Sequence, residues 1–204
     1  TEYQFSVMRT RPSAYVYGLR ARQGDGEFTR VMWGAFAKKE ARRGAGRIHA
    51  DFAAWKGVKA DLGFDGVVEF RFLNHGGKKV VAFGAKDLVT PRNEDAMTGV
   101  VQYRKGAEHA RAFRFLHHVD VGGGDAKEWV GARSAYKLGT GGYIQALVHG
   151  GDVPADADPL TISGCWGPGK EWIWIESAPA DRFADVAAEG TKDDCVAGFK
   201  EAGG

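Results

Sequence analysis

Residues 160–177, LTISGCWGPGKEWIWIES, read as two β-strands joined by the turn Gly167-Pro168-Gly169-Lys170. Pro at the second turn position pre-sets a negative φ and Gly at the third tolerates a positive one, which predicts a type II turn. On the return strand the period of two sends Trp172 and Trp174 one way and Ile173 and Ile175 the other. A strand apolar on both sides is either covered twice or lines a pocket with one face.

The surrounding chain suits a β-rich body. Its 30 glycines in 204 residues are about twice the usual ~7% share and imply many tight turns. With 44% hydrophobic residues the chain can bury a full core, and a single domain over residues 1–204 is expected. No apolar run approaches the ~18 residues a membrane helix needs, and no charged-then-apolar leader opens the chain. Net charge is only +2 but unevenly spread: residues 1–50 hold ten Lys/Arg against four Asp/Glu, residues 151–204 four against eleven. Such a gradient marks either an anionic partner or mutual attraction of the two ends. Cys165 and Cys195 lie far from C-x-x-C spacing, so they form a disulfide in an oxidising compartment or sit as small hydrophobes in the cytosol. With no N-x-S/T sequon present, the cytoplasmic alternative is the expectation.

Along the chain, Tyr3–Met8 and Ala14–Arg22 read as strands. Phe28, Val31, Met32, Ala35 and Phe36 recur at helical spacing and predict an amphipathic helix ending at the basic run before Gly44. A second helix is predicted over Ala50–Leu62, stopped by Gly63. Val67–Leu73 and Lys78–Phe83 form a hairpin with Val68, Phe70 and Phe72 inward. Further strands are expected at Gly99–Tyr103, Ala110–Val121, Glu128–Tyr136 and Gly142–His149. Short helices over Pro179–Ala188 and from Thr191 to near Glu201 close the chain, the latter opening on a capping-box pattern. The predicted class is α+β, with a mostly antiparallel, curved sheet.

Three residue sets could carry chemistry. Trp166, Trp172, Trp174 and Tyr143, flanked by Gly-rich loops, suit a flat apolar ligand or a sugar face, with Glu171 or Glu176 as general acid or base if burial raised their pKa. The plain alternative is core packing. His118 and Asp120 share a strand face and, with His149, match the ligand types of a two-His-one-carboxylate metal site. The plain alternative is a surface hydrogen bond. Arg9, Arg11, Arg20, Arg22, Arg42, Arg43 and Arg47 with Tyr3, Tyr15 and Tyr17 offer charge and stacking to a nucleic acid or other anionic partner, although a pI near 8.5 is low for that class. No dinucleotide-binding, P-loop or zinc-protease motif occurs, and no cofactor class is singled out.

The opening strand, SAYVYGLRA, the turn after it and the VMWGAF segment resemble the start of GyrI-like effector-binding domains over about 40 residues. That resemblance implies an α+β ligand-binding module with an aromatic pocket. The expectation is therefore a small-molecule or carbohydrate binder with an aromatic, Trp-lined pocket, with a metal-dependent enzyme and an anionic-partner binder as the alternatives.

Overall fold

Period-two alternation runs through almost every segment, and in the computed structural model it becomes strand after strand. The structure describes residues 1–40, 43–106, 110–120, 124, 126–153, 160–178 and 190–195. Among these, twelve strands and one α-helix follow one another: β1 (Glu2–Arg11), β2 (Ala14–Arg22), β3 (Thr29–Glu40), β4 (Arg43–Asp51), α1 (Phe52–Val58), β5 (Asp65–His75), β6 (Lys78–Thr90), β7 (Asn93–Lys105), β8 (Ala110–Val119), β9 (Glu128–Lys137), β10 (Gly141–His149), β11 (Leu160–Trp166) and β12 (Trp172–Ala178). A 3-10 turn covers Lys192–Asp194. Strand order in the sheet is the order of the sequence, and the pairings from β1 to β6 and from β8 to β12 are antiparallel. The chain divides into two compact units, Thr1–Val100 and Val101–Gly204.

This overturns the α+β class and the two predicted N-terminal-half helices. Residues 29–40 are β3, pairing Met32 with Ala50, Gly34 with Ile48 and Phe36 with Gly46. Their apolar residues satisfied a helical period. But Val31, Trp33, Gly34 and Phe36 are poor helix formers, and pairing with β2 and β4 offers the backbone hydrogen-bond partners on both edges. With a strand where the helix was expected, the resemblance to effector-binding domains loses the pattern it rested on. The second helix shrinks to the seven residues of α1. Asp51 caps it, its carboxylate accepting the Ala54 N–H at 2.8 Å, and it ends at Val58, well before Gly63.

The remaining strand expectations correspond to strands of the sheet. Between β5 and β6 the loop is Gly76-Gly77, with φ of 56° and 81°, the positive values a two-residue primed turn demands. In the β11–β12 turn the positive φ falls on Lys170, at 72°, not on Gly169, so the type II prediction fails by one residue. The expected capping of Thr191 is present, its N–H and hydroxyl donating to the Asp194 carboxylate at 2.7 and 2.8 Å. The helix over Pro179–Ala188 and the continuation to Glu201 lie outside the described residues. Cys165 and Cys195 form a disulfide, Cα atoms 5.9 Å apart, which ties the 190–195 segment to β11.

Burial is thin. The core of the first unit is Ala21, Val31 and Val58, with Leu19 and Trp55 packed beside them, so α1 seats on the sheet through Val58. In the second unit Ala135 and Cys165 are buried, along with the carboxylate of Glu128, 1% exposed, which accepts the Asp152 N–H at 3.0 Å.

Candidate functional site

Antiparallel register fixes which side chains stand together, because directly opposed residues share a face. In the first unit three successive cross-strand rows can be read from β1 to β6. They are Phe5-Leu19-Met32-Ala50-Val68-Ala85, then Val7-Tyr17-Gly34-Ile48-Phe70-Phe83, then Arg9-Tyr15-Phe36-Gly46-Phe72-Val81. Seventeen of these eighteen positions are apolar, aromatic or glycine; the other is Arg9. The opposite face carries Arg47, His49, Glu69 and Arg71, with Arg71 donating to the Glu69 carboxylate. That hydrogen bond, from a cation, holds the Glu69 carboxyl below the usual carboxylate range.

The apolar face is not covered along its length. Phe5 is 64% exposed, Val7 55% and Phe83 39%, and Phe36, Ile48 and Phe72 are also exposed. Large hydrophobics left open in contiguous rows mark an interaction surface, whereas isolated ones do not. The rings lie flat where glycines permit it. Tyr17 occupies the space a side chain on Gly34 would need, and Phe72 does the same over Gly46. Tyr15 stacks on Phe36 with centroids 4.9 Å apart.

The two ends of this face differ. At one, α1 covers it: Phe52 stacks on Phe64 at 5.3 Å, Trp55 meets Tyr3 edge-on at 6.1 Å, and Lys56 pairs with Asp65 at 2.8 Å. The hydrogen bond from Lys56, with that from the Gly66 N–H, lowers the Asp65 pKa. At the other end, the next row is Lys38-Gly44-Asn74-Lys79. A cleft of about 520 Å³ opens there among the hairpin tips. Its floor is the row Ala14-Ala37-Ala45-Leu73 of the opposite face, where short alanine side chains leave a depression. Arg11, Lys38, Lys39 and Arg43 bring positive charge to its lining, with His75 beside them; Arg43 is engaged by Glu40 at 3.5 Å.

The expected sites fare unevenly. A register shift at Cys165/Trp166 pairs Trp166 with Trp172 and Cys165 with Trp174, so Trp172 and Trp174 fall on opposite faces instead of sharing one. Trp166 and Trp172 meet edge-on at 5.9 Å. Trp174 lies under the Lys192 ammonium, 5.0 Å from its ring, and Tyr143 opposes Cys165 on that face. Glu171 sits in the turn, its carboxylate folded over Gly167 and Gly169; Glu176 is opposite Ser163, and both are exposed.

Metal ligation is overturned. Trp129 stands between the two histidines, stacked on His118 at 4.6 Å and opposite His149 in register. Among the described residues no group of three His, Cys, Asp or Glu, Asp120 included, could hold a metal.

Arg9 stands opposite Tyr15, but most of the described arginines of this set do not share the tyrosines' face. Tyr3, Tyr15 and Tyr17 belong to the apolar face, while Arg20 and Arg47 belong to the other. Arg22 pairs with Glu2 at 2.6 Å, and Arg9 donates to the carbonyl of Pro12 at 2.6 Å. Arg42 lies outside the described residues. Sequence reasoning missed Phe36, Ile48 and Phe83 as surface-forming residues. The alternation around Phe70 and Phe72 was the available signal. Comparison with known families, with curated proteins and with solved structures finds no match. No described helix is long and apolar enough to cross a membrane.

Proposed function

We propose that the unit Thr1–Val100 binds an apolar small molecule against the face formed by β1 to β6. The observation that carries this reading is the set of three in-register apolar rows left open between α1 and the hairpin tips. It keeps the aromatic ligand surface expected from the sequence but moves it from the tryptophans of β11 and β12 to Tyr17, Phe36, Ile48, Phe70, Phe72 and Phe83. Flat rings over glycines provide a rigid contact area at small entropic cost. The Cys165–Cys195 disulfide supports residence in an oxidising compartment over the cytoplasm.

Titration with phenylnaphthylamine, a neutral apolar fluorophore, tests the reading. Ile48→Gln/Phe83→Gln should weaken binding about tenfold or more, since each side chain contributes roughly 1.5–3 kcal/mol when covered. Arg71→Gln, on the opposite face, should leave it unchanged. Equal affinities in the parent and the double variant, with matching circular dichroism, would sink the proposal.

A further inference from the structure

We infer that the cleft among the hairpin tips is a second binding site, separate from the aromatic face, and that it takes an organic phosphate carried on a compact apolar ring. Register brings its parts together on the face opposite the aromatic rows. Ala14, Ala37, Ala45 and Leu73 stand directly opposed in one row, with Arg11 at its β1 end. Arg43 lies two residues from Ala45, and His75 two from Leu73, so both stand on the side of that row. The floor dictates the body of the ligand. Three alanines side by side cover two interstrand gaps, about 10 Å, between the longer side chains of Arg11 and Leu73. That width suits a one- or two-ring system lying flat. The cleft volume of about 520 Å³ is ordinary for a small-molecule site.

The rim dictates its charge. Arg11, Lys38, Lys39 and Arg43 come from three different strands, and among the described residues no carboxylate lines the cleft. Glu40, opposite Arg43 in register, is engaged by it, while Arg11, Lys38 and Lys39 pair with no carboxylate among the described residues. Cations that approach from several directions match a tetrahedral phosphate, with three free oxygens, better than a planar carboxylate with two. One wall is held before any ligand arrives. Arg9 donates to the Pro12 carbonyl at 2.6 Å, and the Lys38 N–H donates to the Ser13 carbonyl at 2.8 Å. The β1–β2 tip is thereby tied to β3, which lowers the ordering cost of binding.

Isothermal titration with 1-naphthyl phosphate, 1-naphthol and inorganic phosphate separates body from head. Naphthyl phosphate should bind about tenfold or more tightly than either fragment, and its affinity should fall as salt rises. Arg11→Gln/Arg43→Gln should weaken it about tenfold or more. Ala37→Leu/Ala45→Leu, which fills the depression and keeps the cations, should weaken it as well. Ile48→Gln/Phe83→Gln, on the aromatic face, should leave it unchanged. Inorganic phosphate binding as tightly as naphthyl phosphate overturns the inference, since the floor would then contribute nothing. Equal binding of 1-naphthoate overturns the assignment of phosphate. Loss of naphthyl phosphate in Ile48→Gln/Phe83→Gln, with both cleft variants unaffected, overturns the inference and places the ring on the aromatic face. Absence of naphthyl phosphate binding while phenylnaphthylamine binds overturns it and leaves the apolar-face reading standing.

Discussion

The ring of Tyr17 lies across Gly34, in the space that any side chain at position 34 would fill, and its hydroxyl donates to the Arg47 carbonyl at 3.0 Å. One tyrosine on β2 thereby spans β3 and reaches β4. Partial burial raises its phenol pKa above the ordinary value. The glycine is required here by close approach, not by a positive φ.

Gly34→Ala should therefore destabilise the protein by roughly 1–3 kcal/mol, the usual cost of overpacking. In a Tyr17→Ala background the same substitution should cost less but remain destabilising, because the ring is removed while the Arg47 carbonyl, which crowds the same space, stays. Urea unfolding of the four-member cycle checks it. Equal costs in both backgrounds would show that Tyr17 is not what Gly34 accommodates.

Acid should loosen α1 from the sheet. The Asp65 carboxyl is lowered by its hydrogen bond from Lys56 and then by that from Gly66. A folded-state pKa below the unfolded value contributes stability that is full above the ordinary carboxylate range and lost as pH falls through the folded value. Glu69, lowered by Arg71, behaves in the same sense. The urea midpoint should thus fall below about pH 4, and Asp65→Asn should flatten part of that fall. A variant with the parent's full acid dependence would refute the assignment.

Trp55 buries its indole N–H with no hydrogen-bond partner among the described residues. An unsatisfied buried donor costs roughly 1–3 kcal/mol. Trp55→Phe retains a ring against Tyr3 and Phe52 while removing the donor, so the change should be close to neutral despite the lost volume. Thermal unfolding decides: a loss above about 3 kcal/mol, typical of a core truncation, would mean the indole is fully matched.

Reduction of the Cys165–Cys195 bridge opens a covalent link spanning 30 residues. Loop-closure entropy puts its contribution at about 3–4 kcal/mol. Cys195→Ser should lower stability by that order and change Trp174 fluorescence, because Lys192 sits over the Trp174 ring. Unchanged emission would show that the cation–π contact survives without the bridge.

The strands were legible where apolar residues alternate at a period of two and nothing else fits, as in Val68-Glu69-Phe70-Arg71-Phe72. Residues 28–36 were not, because Phe28, Val31, Met32, Ala35 and Phe36 fit a helical period within a run, 31–37, that is apolar or Gly throughout, and only pairing of Met32 with Ala50 and Phe36 with Gly46 chooses. The tryptophan site failed for a smaller reason. One register shift at Cys165/Trp166 reverses the sides of everything beyond it, and bulges leave little trace in a sequence. His149 does come to the face of His118, but Trp129, brought in by β9, separates them.

By itself the sequence determined that the chain is strand-rich, that Pro12-Ser13 and Gly76-Gly77 are turns, and which residues alternate within a strand. Those properties depend on neighbours one to three positions away. Only the tertiary structure decided that β3 is not a helix, which aromatic rings join across six strands, and that Trp129 comes between His118 and His149. Each of those depends on register between strands distant in sequence, and a shift of one residue would send every side chain to the other side.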